Sequence, residues 1–352
     1  MEIKSLLDAK NAAIVMRQHL KPVEGDHAVV FPPTFAELGY NIDQLKDADG
    51  REAKNVCLMD SVGSQANRME PIFKLDPYAK LIPHITVTVK MKNDTDETVD
   101  ILDAGHRIAD AAVRFSDMAG EIRDAFRAAG KGNAVPLAKL APTSLVFGCW
   151  DSRDTGIKMP RIVRSTVRAL NVHPLTRSAQ FIPALENSAD AFDSLADREE
   201  KLLPEIGLAH VPAPAALGGV LLDGHSQLLR ESVLSLSALR RLVGESEEET
   251  AKLRAYVLGL SLVAFTAPQD TFLRMGCELT PDPENPATWE VVGNDGTRAS
   301  FTVTHEDALA FARDSSKEFG VGESLLTTFD PAVAKKALEE AKKKKNTTKK
   351  GK

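Results

Sequence analysis

A chain of 352 residues with 43% hydrophobic and 27% charged side chains can bury a sizeable core and has the balance of a soluble globular protein. Its longest apolar run, Tyr256 to Phe265, is too short to cross a bilayer, and the charged, amphipathic N-terminus has no signal-peptide block. Cys57, Cys149 and Cys277 lack zinc-site spacing, so a reduced, cytoplasmic setting is expected, with no metal and no cofactor. The formal net charge is −6, but nine lysines and two glutamates lie from Lys335 onward, which leaves −13 on the body. An acidic body argues against indiscriminate coating of nucleic acid. One stretch runs the other way: Asp151 to Ser178 sets six basic residues against two acidic ones, the signature of a defined groove.

In chain order, residues 1–24 read as an N-terminal helix with Leu6, Leu7, Ala13, Ile14 and Leu20 on one face. Strands are expected at "HAVVFPPTF", stopped by Pro32-Pro33, at "NVCLM", and at "LIPHITVTVKM" with Ile85, Val87 and Val89 alternating. After a turn at Asn93-Asp94, "ETVDILDAGHRIADAAVRFSDMAGEIRDAF" reads as one amphipathic helix, and "TSLVFGCW" as a buried strand. A loop-like region, Leu185 to Ala216, opens a helical insertion of about 185–265, with helices over His225 to Val243 and Glu247 to Phe265. "TFLRMGCELT" reads as a strand and "TWEVVGNDGTRASFTV" as a hairpin turning on Asn294-Asp295-Gly296. A helix from His305 ends at Gly320, and the lysine-rich tail, 331–352, is expected to fray into disorder. This mixture without regular βαβ alternation predicts an α+β fold, with a ferredoxin-like or RRM-like core spanning 25–330 and carrying large insertions.

Two stretches carry the candidate chemistry. In "CLMDSVGSQANRMEPIF" a strand meets a Gly-containing loop and a helix start, so backbone N–H groups converge where an anion can sit. Ser61, Ser64, Gln65 and Asn67 add neutral donors and Arg68 a charged one, a set suited to phosphate and sugar oxygens. The plainer alternative is a solvated helix start capped by Ser61 or Ser64, with Pro71 kinking the chain beyond it. In "GCWDSRDTGIKMPRIVRSTVRALNVHPLTRS", Arg161, Arg164 and Arg168 recur at helical spacing, as a row that could follow a phosphate backbone. Arg153, Lys158 and Arg177 join the same basic stretch. No His–Ser–Asp set, HExxH or EF-hand can be assembled, so no catalytic residue is expected, and His106 reads as a structural hydrogen-bonder. Aromatic content of 5%, with Trp150 and Trp289 the two tryptophans, argues against multiple base-stacking platforms.

Together, "DSVGSQANRME", "AGHRIADAAVRFS" and "FGCWDSRDTGIKMPRIVRS" resemble, in order and spacing, the RAMP-superfamily backbone subunit of type I-U (also called I-G) CRISPR Cascade, over roughly residues 25 to 320. The resemblance implies a modified RRM-like palm with inserted helical and thumb-like hairpin subdomains. It implies copies assembled side by side on a CRISPR RNA guide, whose bases are left free to pair with target DNA, and contacts with other Cascade subunits. Ser61, Gln65, Asn67 and Arg68 would then touch the guide backbone, with Ser64, His106, Arg107, Arg153, Lys158, Arg161, Arg164 and Arg177 as further RNA-binding candidates. "FGVGES" at 319–324 is only a fragment of the glycine-rich loop of processing RAMP nucleases, which argues against self-cleavage. Two alternatives stay open: a RAMP-type endoribonuclease using His106 or Asp60, and a small-molecule enzyme with a phosphate-binding Ser/Gln/Asn/Arg pocket.

Overall fold

The structure, a computed structural model, describes residues 2–91, 95–181 and 202–350. In chain order its main elements begin with β1 (Asn11–Pro22), β2 (Ile42–Lys46), β3 (Glu52–Asp60) and helix α1 (Val62–Met69). Strands β4 (Ile85–Lys90) and β5 (Asp96–Asp100) precede helices α2 (Ala119–Gly130) and α3 (Val135–Leu140). Next come β6 (Val163–Leu170), β7 (His173–Phe181), β8 (Val211–Leu221), β9 (Gln227–Ser235) and helix α4 (Glu247–Thr266). The chain ends with β10 (Cys277–Pro281), β11 (Thr288–Gly293), α5 (His305–Phe319), β12 (Leu325–Thr328) and α6 (Pro331–Lys350).

The main sheet is antiparallel throughout, in the order β10–β1–β9–β6–β3–β2, with β11 pairing the first half of β1 beside β10. Strands β1, β6, β9 and the β10/β11 edge come first, second, third and fourth in the chain. Read across the sheet, β10, β1, β9 and β6 are the fourth, first, third and second of these strands. A helical crossover joins the first two, and α4 joins the last two, which is the ferredoxin-like, RRM-type arrangement. Two insertions decorate it. Strands β2 and β3 extend the sheet past β6, and the β7–β8 hairpin is inserted between β6 and β9.

One face of the sheet is buried and the other is open, as the pleat requires. Val163, Ser165, Val167 and Ala169 of β6 point inward with Leu228, Arg230, Ser232 and Leu234 of β9. Arg164 points to the open face, where Arg17 meets Glu231 at 3.3 Å and Glu290 at 3.7 Å, and Arg168 meets Glu231 at 3.8 Å. Helix α4 runs through the centre of the covering layer, buried continuously from Ala255 to Phe265. Its Gly259 allows α5 to pack closely, since a Cβ there would stand 2.8 Å from the Ala312 Cα. Tyr256 stacks on Phe319 at 4.7 Å between ring centres and donates to the Leu81 carbonyl at 2.9 Å. Each such fully buried large side chain contributes roughly 1.5–3 kcal/mol.

Several sequence expectations hold. Helix α4 starts at the Ser246 cap, whose hydroxyl accepts from Glu249 N, with Glu247, Glu248 and Glu249 in its first turn. The hairpin at Asn294 to Gly296, strand β4 and the left-handed Gly320 closing α5 are also as read. Others need correction. The expected N-terminal helix over 1–24 is a short 3-10 turn, Ile3–Leu7, followed by strand β1. Partners on both sides (β9, and β10 with β11) override the local helical pattern. The helix read over His225 to Val243 is strand β9 and a single turn, Leu236–Leu239, because its inward positions alternate with period two. Where described, the expected helical insertion of 185–265 therefore holds strands β8 and β9 and one helical turn before α4. The long helix after residue 96 breaks into β5, a 3-10 turn at Arg107–Ala109, a turn at Ala111–Arg114 and α2. "TSLV" is a helical turn rather than a strand. "TFLRMGCELT" is two strands, Phe272–Arg274 and β10, folding on Gly276 at φ +75°. The tail, read as a helix fraying toward its basic end, is helical over Pro331–Lys350 as α6, in keeping with its Ala, Lys and Glu content. The Asn93-Asp94 turn and most of the 185–216 loop lie outside the described residues.

Candidate nucleic-acid interface

The stretch after β3 folds as a strand–turn–helix, with Ser61 capping α1 by accepting from Ser64 N at 3.2 Å. Two of its donors, Gln65 and Arg68, are however spent inside the protein. Asp60 is buried at 1% exposure and accepts from Gln65 Nε2 at 2.6 Å, Arg68 Nε at 3.1 Å and Arg274 Nη2 at 3.2 Å. The Gln65 carbonyl takes the Ser165 hydroxyl at 2.8 Å. Arg68 also donates to the backbone carbonyls of Phe272, at 3.3 Å, and Leu273, at 2.5 Å. Gln65 and Arg68 thus tie α1 to β6 and to the β10 hairpin. Asn67 alone of this set is exposed, and Ser61 and Ser64 are half-buried.

His106 and Arg107, read on a regular helix, sit instead on a turn and part company there. His106 is exposed, with Asp110 at 3.6 Å. Arg107 is buried, holds φ at +53°, and donates to Glu70 at 2.6 Å and to the Gly148 carbonyl at 3.4 Å. A buried guanidinium in the left-handed region needs such an anchor. Burial pushes the Glu70 carboxyl up, and the Arg107 charge pulls it part of the way back. Arg107 is thus a positioning residue under the next segment rather than a surface contact.

That segment is built around Asp151. Its carboxylate accepts from Thr155 N at 2.8 Å and Thr155 Oγ1 at 2.7 Å, and its own N–H donates to the Ile157 carbonyl at 3.0 Å. The closed turn sets Cys149–Trp150 against Lys158–Met159 as a two-stranded ribbon. Trp150 stands 57% exposed with Lys158 Nζ 5.6 Å from its ring centre. Gly148, at φ +78°, leaves room for Arg161, whose Cγ would be 2.7 Å from a Cβ at that position. Partial cover of its guanidinium and then the Arg107 charge lower the Arg161 pKa, although the residue as a whole stays exposed. Both acidic residues of the segment are engaged: Asp151 by its own turn and Asp154 by Arg123 at 2.7 Å. Arg153, Lys158, Arg161 and Arg164 are exposed and form no ion pair among the described residues.

The spacing of Arg161, Arg164 and Arg168 does not mark a helix face. They lie on and before β6, where Val163, Thr166 and Val167 favour strand and β9 and β3 supply partners on both sides. Arg161 precedes the strand, and Arg164 and Arg168 share its open face, opposite the α1 side that receives Ser165. The structure therefore gathers Arg153, Lys158, Arg161 and Arg164 along one turn and strand, and separates them from α1. Arg177 lies on β7 with its guanidinium 5.5 Å from the Phe31 ring centre. Trp150 belongs with the exposed basic set and escapes sequence reasoning, because "FGCW" reads as a buried strand. Its position immediately before a charged turn, "DSRDTG", is the signal that could have placed it outside.

Residues 14–174 match the family described as CRISPR-associated protein GSU0053 (Cas_GSU0053). No curated protein matches the sequence. Among solved structures, the crystal structure of Thermofilum pendens Csc2 is similar at 10% identity over 97% of this chain and 80% of that one, with a TM-score of 0.29. The strand pairings above, not that superposition, establish the RRM-type order. No helix among the described residues is long and apolar enough to cross a membrane.

Proposed function

We propose that this chain is a guide-RNA-binding backbone subunit of a CRISPR Cascade complex, of the type I-U (I-G) kind, acting in the cytoplasm without catalysis of its own. The observation that carries the reading is the solvent-facing set of Trp150, Arg153, Lys158, Arg161 and Arg164, whose neighbouring carboxylates are already engaged. Four cations along one turn and strand follow a phosphate backbone without reading bases, and one exposed indole can stack on a single base. The family match over 14–174 supports the CRISPR assignment and spans all three motifs on which the resemblance rests. In this reading the β7–β8 hairpin, inserted between the second and third palm strands, serves as the thumb. In this reading copies of the chain line up on one guide, the bases remain free for target DNA, and cutting is left to a partner.

Co-expression with a repeat array and the other complex subunits tests it. The chain should elute as a multimer with RNA of defined length. A protein that remains monomeric and RNA-free in that setting would overturn the proposal. His106→Ala should leave RNA processing by the complex unchanged; lost cleavage with binding intact would favour a ribonuclease.

A further inference from the structure

On the helix-covered face of the sheet, away from the basic turn, lies a cavity of about 290 Å³. Its polar lining centres on Arg230. The register sets Gln18 of β1 opposite Arg230 of β9, Arg230 opposite Val167 of β6, and Val167 opposite Asp60 of β3. Arg230 is only 6% exposed, yet among the described residues no carboxylate lies within ion-pair distance of it. Its Nε donates to the Ser165 hydroxyl at 3.1 Å, and Nη2 meets the Met69 sulfur at 3.8 Å. These are neutral partners for a charge that is costly to bury without a counter-charge. The nearest acid, Asp60, is already shared by Arg68 and Arg274. The single negative charge of Asp60 is thus already matched by two guanidinium groups, and the Arg230 charge has no counter-charge of its own. Burial pulls the Arg230 pKa down to about 10, so it stays charged at neutral pH.

The remaining lining gives the ligand its shape. Trp289 and Phe265 meet edge to face, 5.0 Å between ring centres, and form an aromatic wall with Met16 nearby. Gln18 also lines the cavity, with no hydrogen-bond partner for its amide among the described residues. Asp270 is the acidic lining residue; its Oδ1 accepts from Phe272 N at 2.9 Å, and it is solvent-exposed. The volume is at the small end of ligand pockets, which run about 300–1,000 Å³, so it admits a small molecule or one chain-terminal unit rather than a polymer.

We propose that this cavity is a second, separate binding site, for a small organic anion whose phosphate or carboxylate meets Arg230 and whose flat ring meets Trp289. A nucleoside monophosphate, free or at the end of an RNA chain, has that chemistry. The proposal goes beyond guide-backbone binding and does not use the exposed basic turn.

The chain has two tryptophans, so full-length Trp150→Phe protein leaves Trp289 as the sole indole reporter. Its fluorescence is titrated, free of RNA, with AMP, UMP, inorganic phosphate and adenosine. A saturable change with AMP or UMP is expected, with adenosine weaker by about ten- to a hundredfold, the scale of one charged hydrogen-bonding partner. Arg230→Met, which keeps the side chain's bulk, should show the same loss while retaining the parent's circular dichroism. A 5′-phosphorylated trinucleotide that competes assigns the site to chain ends, and one that fails to compete assigns it to free nucleotide. No saturable change with either monophosphate, or adenosine binding as tightly as AMP, would overturn the proposal even if Arg230→Met does not fold. Failure here leaves RNA copurification untouched, so the two readings fall separately.

Discussion

The turn after β3 and the turn before β6 contain similar side chains, yet the fold uses them in opposite ways. Around α1, Gln65 and Arg68 close on Asp60, Ser165 and two backbone carbonyls, so the polar residues are internal fasteners. Between Trp150 and Arg164 the acids are satisfied locally, and the bases are left facing solvent. A donor-rich segment is available to a ligand only where the acceptors within reach are already occupied by others. That is the lesson of the pair.

The largest effect should come from breaking the inner cluster. Asp60→Ala strands Arg68 and Arg274 beside the already unpaired Arg230 and should cost about 3–5 kcal/mol, the scale for removing one partner of a buried ion pair. Chemical denaturation checks it, and a loss under about 1 kcal/mol would place Asp60 among ordinary surface pairs. The outer region should behave inversely. Trp150→Ala should weaken RNA binding by about 1–3 kcal/mol if one base stacks there. Its folding stability should stay within about 0.5 kcal/mol of the parent, because the indole is mostly exposed.

A smaller effect sharpens the contrast from the helical layer. His305, bonded to Tyr78 Oη at 2.7 Å and Thr266 Oγ1 at 2.9 Å, has its pKa lowered by burial. The unfolded chain then takes up this proton more readily than the folded one. The His305 contribution is therefore intact above the unfolded value of 6.5 and is lost as pH falls below it. Denaturation curves between pH 7.5 and 5 should show a shallower decline for His305→Gln, and an unchanged pH slope would contradict this. The smallest effect should come from the thiols. Burial pushes Cys57 and Cys149 up to about 12 and Cys277 up to about 11, so a thiol reagent should label the native protein far more slowly than the unfolded one.

Much of this is legible in the sequence, and the failures share a cause. The α+β class, the capped and acidic start of α4, the Asn294 to Gly296 turn and the basic stretch after Cys149 rest on local signals, and all survive in the fold. Strands β1 and β9 read as helices because their pattern allows both, and only the pairing between Ala13–Leu20 and Leu228–Ser235 decides it. The role of Arg68 is equally invisible. Its partners, Phe272 and Leu273, are about two hundred residues away and are backbone carbonyls, which leave no trace in side-chain spacing. Arg107 reads as a surface cation until Glu70 is brought to 2.6 Å from it.

The difference between the two regions is tested most directly by the salt dependence of RNA binding, measured on two guides of unrelated sequence. The Lys158→Ala/Arg161→Ala/Arg164→Ala protein should lose about 0.7 from the log–log salt slope for each phosphate contact removed, roughly 2 in all, and equally on both guides. Arg68→Met should leave the slope unchanged, whatever it does to stability, because its guanidinium is engaged by Asp60 and the Phe272 and Leu273 carbonyls. A parental slope in the triple variant, or a slope lost with Arg68 instead, would return the RNA backbone to α1 and contradict the account.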